Sequence, residues 1–270
     1  MPRMQSPSSI NTYKQCPRKY FYQYILNLPT KPSIYLIRGS IVHEVLEKFF
    51  DLDITSLDEK ELEFGMRSFV TAHLLRLWTK NRTNLLILGL AEEELERYLL
   101  ESQDMLQGFV TIFAKKLRKR AEICGTLKEA FSELTPSVEE EIINPDLKVK
   151  GFIDAIHTHD KETVIMDYKT SKKDELTPAY RLQLSIYALL YKLKYGKAPD
   201  KVGINFLKFG ERMMDVDEKL LEETKKEVRL IHELTQTDKI KDFPTNVGPL
   251  CKWNGGQCDF YDTCIKQRDI

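Results

Sequence analysis

The apolar period of this chain changes near residue 134. Residues from about 38 to 133 carry apolar side chains at helical spacing, with Leu74, Leu75, Leu77 and Trp78 as a clear instance. Beyond that point the pattern is of short strands. Ser137 to Ile143, Lys148 to His157, Val164 to Thr170, Val202 to Phe209 and Arg212 to Val216 read as extended. One helix, from about Thr177 to Tyr195, lies between the third and fourth strands, and another, from about Glu218 to Leu234, follows the fifth. Near the start, Ser8-Ser9 can cap a short helix and Pro17 suits the first position of the next. This order predicts an α/β fold with a mixed sheet and a helical region inserted before it. A single domain over 1–270 is expected: an N-terminal segment 1–37, a helical region 38–133, a core 134–242 and a cysteine-rich tail 243–270.

The third strand ends in Asp167-Tyr168-Lys169. Side chains alternate across a strand, so Asp167 and Lys169 emerge on one face while Met166 and Tyr168 take the other. The second strand contains Asp154, and Gly151 within it marks a bulge or a close backbone approach. If these two strands pair through a turn at 159–162, Asp154 lies beside Asp167. Two carboxylates that close repel unless a cation separates them, and a hard divalent ion takes one or two carboxylates together with waters and phosphate oxygens. The bland reading of an Asp-x-Lys strand end is a solvated edge or a salt bridge.

Gly151-Phe152-Ile153-Asp154, followed by Ile165-Met166-Asp167-Tyr168-Lys169-Thr170, resembles the core of the PD-(D/E)xK nuclease superfamily in its RecB-type branch. Upstream, Arg38-Gly39-Ser40-Ile41-Val42-His43-Glu44 resembles the branch's helical motif with a metal-binding histidine; downstream, Gln183-Leu184-Ser185-Ile186-Tyr187 resembles its QxxxY helix. The resemblance implies a restriction-endonuclease-like core in which His43, Asp154, Asp167 and the backbone carbonyl of Tyr168 bind Mg²⁺ or Mn²⁺. It implies that Lys169 serves catalysis, that Gln183 orders the active site and that Tyr187 approaches the DNA strand. Read from the residues alone, His43 is sooner a histidine at the margin of a helix core, beside Ile41, Val42, Val45 and Leu46, than a metal ligand. Gln183 and Tyr187, four residues apart, share a helix face with Tyr180 and Tyr191, a stripe that is usually core.

Five cysteines form a second pattern: Cys16 near the start, Cys124, and Cys251, Cys258 and Cys264 in the tail. One before the core and three after it resemble the iron-sulfur variant of RecB-type nucleases, which includes AddB-type domains and CRISPR-associated spacer-acquisition exonucleases. The implied cofactor is a [4Fe-4S] cluster on Cys16, Cys251, Cys258 and Cys264, a clasp joining the chain ends. The spacing of Cys251 and Cys258 is wider than that variant usually has. A structural Zn²⁺ on four thiolates is the alternative, since tetrahedral sites tolerate varied spacing. An odd count and no secretory signal disfavour disulfides. Cys124 reads as an ordinary buried thiol.

With 41 basic and 41 acidic residues the formal net charge is zero, so distribution matters more than the sum for a nucleic-acid binder. Residues 1–40 contain Arg3, Lys14, Arg18, Lys19, Lys31 and Arg38 but no acidic residue, interleaved with Tyr13, Tyr20, Phe21, Tyr22 and Tyr24. Such a segment is expected to contact phosphates and stack bases along a single strand. Lys115, Lys116, Arg118, Lys119 and Arg120 form a second basic cluster, equally readable as a solvated helix face. No apolar run approaches membrane-spanning length, so a cytoplasmic enzyme is expected. The resemblance implies a metal-dependent DNA exonuclease acting on single strands or frayed ends in repair, recombination, phage replication or CRISPR adaptation, with a helicase or CRISPR integrase as partner class. The other readings are a non-catalytic nucleic-acid-binding subunit and a structure-specific endonuclease.

Overall fold

The computed structural model describes residues 3–159, 161–254 and 256–266. The N-terminal helices are α1 (Pro7–Gln15) and α2 (Pro17–Tyr20), the latter running into a π-helical turn (Phe21–Ile25). The helical region comprises α3 (Ile34–Phe49), α4 (Leu62–Lys80), α5 (Arg82–Leu86), α6 (Glu92–Cys124) and α7 (Leu127–Leu134). The core follows as β1 (Ser137–Asn144), β2 (Val149–His159), β3 (Glu162–Lys169), α8 (Pro178–Tyr195), β4 (Lys201–Phe206), β5 (Gly210–Asp215) and α9 (Glu218–Leu234). The tail carries β6 (Lys252–Trp253), β7 (Gly256–Gln257) and α10 (Tyr261–Lys266). Every expected strand and both core helices form. Asp160, within the expected turn between β2 and β3, lies outside the described residues.

Local chemistry explains several boundaries. Ser6, rather than Ser8 or Ser9, caps α1: its hydroxyl accepts from the Ser9 amide, and the Ser9 hydroxyl accepts in return from the Ser6 amide. Thr177 caps α8 with Pro178 at the first helical position, and Gly196 ends it at φ 76°, a left-handed conformation that glycine adopts without a Cβ penalty.

The sheet is mixed, in the order β1-β2-β3-β4-β5, with every neighbouring pair antiparallel except β3 and β4. Parallel neighbours need a crossover, and α8 supplies it. One face of the sheet packs on the helical region, where Met166 and Tyr168 join Phe49, Phe109 and Phe113. The other face packs on α8 and α9, where Ile153 and Ile165 meet Leu184, Tyr187 and Val228. The alternation along β3 is therefore as its sequence requires.

The N-terminal aromatic residues correct the sequence reading. Tyr13, Tyr20, Phe21 and Tyr22 are buried, and they pack with Phe243 and Phe260 of the tail. Their large apolar area holds the two chain ends together and leaves these rings no face for a base. Arg18 belongs to the same seam, its amide donating to the Pro244 carbonyl and its Nε to the Phe243 carbonyl. In the basic cluster of α6, Lys116 pairs with Glu211 and Arg120 with Glu133, as a solvated, salt-bridged helix face would. Among the described residues, no helix is long and apolar enough to cross a membrane.

Candidate active site

The strand register brings three carboxylates into one row of the sheet. Val138 pairs with Ala155, and Glu140 with Ile153, so Glu139 and Asp154 face each other between them. Ala155 pairs with Met166, so Asp154 and Asp167 occupy the next row of that ladder. Regular pairing lapses in this row. Glu139 takes φ 49°, in the left-handed region, at a cost of roughly 1–3 kcal/mol for a residue with a Cβ. Asp154 Oδ2 instead accepts a 2.8 Å hydrogen bond from the Tyr168 amide, so a side chain spans the gap between β2 and β3.

Helix α3 adds His43 from the side of the helical region, its Nδ1 3.3 Å from Asp154 Oδ2. Ligand atoms of His43, Glu139 and Asp154 all lie within 4.8 Å of one another. One imidazole nitrogen and two carboxylates are a donor set for a hard or borderline divalent cation. Asp167 lies behind this group, 2% exposed. Lys169 Nζ is 2.6 Å from Asp167 Oδ2, a close ion pair without hydrogen-bond alignment, and Gln183 Nε2 donates to Asp167 Oδ1 at 2.8 Å. The same Nε2 lies 2.9 Å from the Tyr187 hydroxyl.

The electrostatics follow from burial and crowding. Burial raises the Asp167 carboxyl to about 6; Lys169 counters that and the Asp154 charge adds to it. For Lys169, burial is the largest influence and pulls its pKa down, but the charge and close contact of Asp167 together with the Asp154 charge make the net direction up. For His43, burial again pulls downward, and the hydrogen bond and charge of Asp154 carry the net shift upward. Glu139 is raised by burial of its carboxyl within the cavity and by the Asp154 charge, although much of the residue faces solvent. Carboxyls crowded together and held above their ordinary range mark a candidate functional site.

Of the residues expected from sequence, His43, Asp154, Asp167, Lys169, Gln183 and the Tyr168 backbone thus meet at one place. Tyr187 is 6% exposed and packs against β2, so it supports Gln183 from beneath, with only an edge on a small neighbouring cavity. Sequence reasoning missed Glu139. It is one of three successive glutamates, 139–141, and only its unusual φ and its row in the sheet distinguish it. Arg38, the last cation of the basic segment 1–40, is 1% exposed: it pairs with Glu101 at 2.9 Å and donates to the Thr170 carbonyl at 2.8 Å, tying α3 to the end of β3. The site opens into a cavity of about 920 Å³ lined by His43, Glu139, Asp154 and Lys169.

The profile of the PD-(D/E)XK nuclease superfamily matches residues 5–265. The chain belongs to that superfamily. Among curated proteins it is similar to the Gene 69 protein of Mycobacterium phage D29, 27% identical over 216 residues that cover 76% of this chain and 74% of the phage protein. The Gene 69 protein of Mycobacterium phage L5 is 23% identical over 226 residues, covering 76% of each chain. Among solved structures, a candidate exonuclease from Eubacterium rectale has the same fold, with a TM-score of 0.53 and 14% identity over 93% of this chain and 86% of that one. The superfamily fold and the His43, Glu139 and Asp154 group agree with a metal-dependent nuclease.

The cysteines converge at a second place. Cys16, Cys251, Cys258 and Cys264 all line one cavity of about 270 Å³ between the N-terminal helices and the tail. Asn246 connects the two sides: its amide donates to Cys16 Sγ, its side chain donates to the Gln15 carbonyl, and Cys251 Sγ contacts its carbonyl. Cys124, at the end of α6, is half-buried and takes no part in that cavity.

Proposed function

We propose that this protein is a metal-dependent deoxyribonuclease of exonuclease type, acting on single-stranded DNA or frayed ends, with a [4Fe-4S] cluster on its four-cysteine clasp. The convergence of His43, Glu139, Asp154 and Lys169 on one cavity, with Asp167 paired to Lys169 behind them, carries the catalytic reading. The residues present fit a divalent ion: donors of oxygen and nitrogen type are close enough to share one cation, and the carboxyl crowding is relieved by positive charge. His43, Asp154, Asp167 and the Tyr168 carbonyl would hold Mg²⁺ or Mn²⁺, with Glu139 as a further ligand. Once bound there, a divalent ion supplies a water of lowered pKa and neutralises charge on the phosphate.

The chain's own groups do the rest. Gln183 fixes the orientation of Asp167, and the Tyr168 amide fixes that of Asp154. Lys169 presents a positive donor beside the place where a phosphate oxygen and the attacking water meet, favouring the charge that develops in hydrolysis.

The cluster reading rests on the four thiols around one cavity. Anaerobically purified protein is expected to be brown and to contain about four iron and four sulfide per chain. Stoichiometric zinc without acid-labile sulfide would reject the cluster. For the active site, Asp154→Asn and Lys169→Ala are each expected to lower Mg²⁺- or Mn²⁺-dependent cleavage of single-stranded DNA at least ~10²-fold with the thermal transition retained. Undiminished cleavage by either purified variant would reject it.

A further inference from the structure

The catalytic cavity is walled by opposite charges. Its lining carries His43 with the carboxylates of Glu44, Glu47, Glu139 and Asp154, and three cations, Arg38, Lys169 and Lys172. Two of the three are neutralised within the protein, Arg38 by Glu101 and Lys169 by Asp167. Lys172, exposed on the loop after β3, has no carboxylate within salt-bridge distance among the described residues. Its Nζ lies 5.8 Å from the centre of the Tyr35 ring.

Tyr35 belongs to the first turn of α3 at the cavity rim and is 50% exposed. Its ring is held in place from behind: Tyr98 meets it edge-on at 5.9 Å and donates to its hydroxyl, and the buried Arg38 guanidinium lies 5.8 Å from its centroid. An aromatic face kept rigid, open to solvent and next to an unneutralised lysine is the pairing that binds one unpaired nucleotide, ring on base and ammonium on phosphate. Both residues open into the same cavity as the metal-binding group, so that nucleotide is continuous with the scissile phosphate. Arg38 fixes the spacing, because it touches the Tyr35 ring and also binds the Thr170 carbonyl two residues before Lys172.

We propose that Tyr35 and Lys172 form a subsite for an unpaired nucleotide flanking the bond to be cleaved, with the base stacked on Tyr35 and its phosphate on Lys172. The proposal rests on the nuclease reading of the metal-binding cavity and assigns its strand specificity to these two residues. A paired base has its face covered by its neighbours, so this subsite selects single strands and frayed ends.

The test is binding of a fluorescent oligothymidylate and of an abasic oligonucleotide of equal length, with Ca²⁺ replacing Mg²⁺ to hold the complex uncleaved. Wild-type protein is expected to prefer the base-bearing strand by about tenfold, Tyr35→Ala to lose that preference, and Tyr35→Trp to keep it. Lys172→Ala is expected to weaken both strands and to reduce the salt slope by about 0.7, the value for one phosphate contact on a single strand. A Tyr35→Ala protein that melts cooperatively and still prefers the base-bearing strand would overturn the subsite, as would an unchanged salt slope in Lys172→Ala. Wild-type protein that shows the base preference but no metal-dependent cleavage would defeat the nuclease reading instead.

Discussion

The side-chain amide of Gln183, on α8, donates to Asp167 Oδ1 on β3 across 2.8 Å. This bond joins the crossover helix to the strand it follows, and it leaves Asp167 Oδ2 for Lys169 and for a cation. Gln183→Ala is therefore expected to leave the fold intact while Asp167 loses its fixed orientation. A fall in kcat of about 10–10²-fold, with weaker Mn²⁺ binding, is the expected result. Steady-state kinetics beside Mn²⁺ titration checks it. Gln183→Glu is expected to be worse for cation-free stability, because a second carboxylate would then face Asp167.

Acidification should release the metal before it unfolds the protein. Burial holds the Asp167 carboxyl at about 6, and Asp154 keeps the His43 imidazolium stable to higher pH than usual. Both groups must shed a proton to act as ligands, so proton and cation compete with the same sign at each. Metal affinity is expected to rise with pH and to fall as pH drops through about 6, by up to about tenfold per unit for each proton displaced. Mn²⁺ titrations from pH 5 to 8 measure this directly, and a flat profile would remove Asp167 and His43 from the ligand set.

A second titration bears on stability rather than on the metal. His157 of β2 faces the helical region, where burial, with the nearby Lys116 charge, lowers its pKa to about 4. The unfolded chain binds this proton near 6.5, so between about pH 6.5 and 4 the unfolded state holds more protons than the folded one. The stability from keeping His157 neutral is therefore complete above about 6.5 and lost as pH falls toward 4. The ceiling is about 3 kcal/mol, reduced by the residue's partial exposure. His157→Gln should flatten the dependence of urea midpoint on pH in that window, without a change in cleavage at neutral pH.

Much of this architecture was legible in the sequence because its determinants are local. Thr177-Pro178 and Gly196 bracket α8, and the alternation Ile165, Met166, Asp167, Tyr168, Lys169 places each side chain on its observed face. The features that were misread depend on distant partners. Tyr13, Tyr20 and Phe21 look like a base-stacking surface until Phe243 arrives to cover them. Arg38 reads as a free cation until Glu101 of α6 meets it. Glu139 is indistinguishable from Glu140 and Glu141 in sequence, because its inward turn is set by the register of β1 on β2.

Gly151 links strand packing to the candidate active site. A Cβ at this position would lie 2.9 Å from Tyr187 Cε1 and 3.0 Å from Leu190 Cδ1, so β2 can approach α8 this closely only with glycine there. Leu190 is fully buried and cannot retreat far, which leaves the Tyr187 ring to move. Its hydroxyl contacts the same Gln183 nitrogen that holds Asp167, so displacement is transmitted to the active site within two side chains. Gly151→Ala is expected to cost about 1–3 kcal/mol of stability and to lower kcat, with little change in KM. Combining Gly151→Ala with Tyr187→Ala tests the route: if overpacking on the ring is the cause, the double variant loses less stability than the two single losses added together. Additive losses in thermal unfolding would show that the two residues act independently.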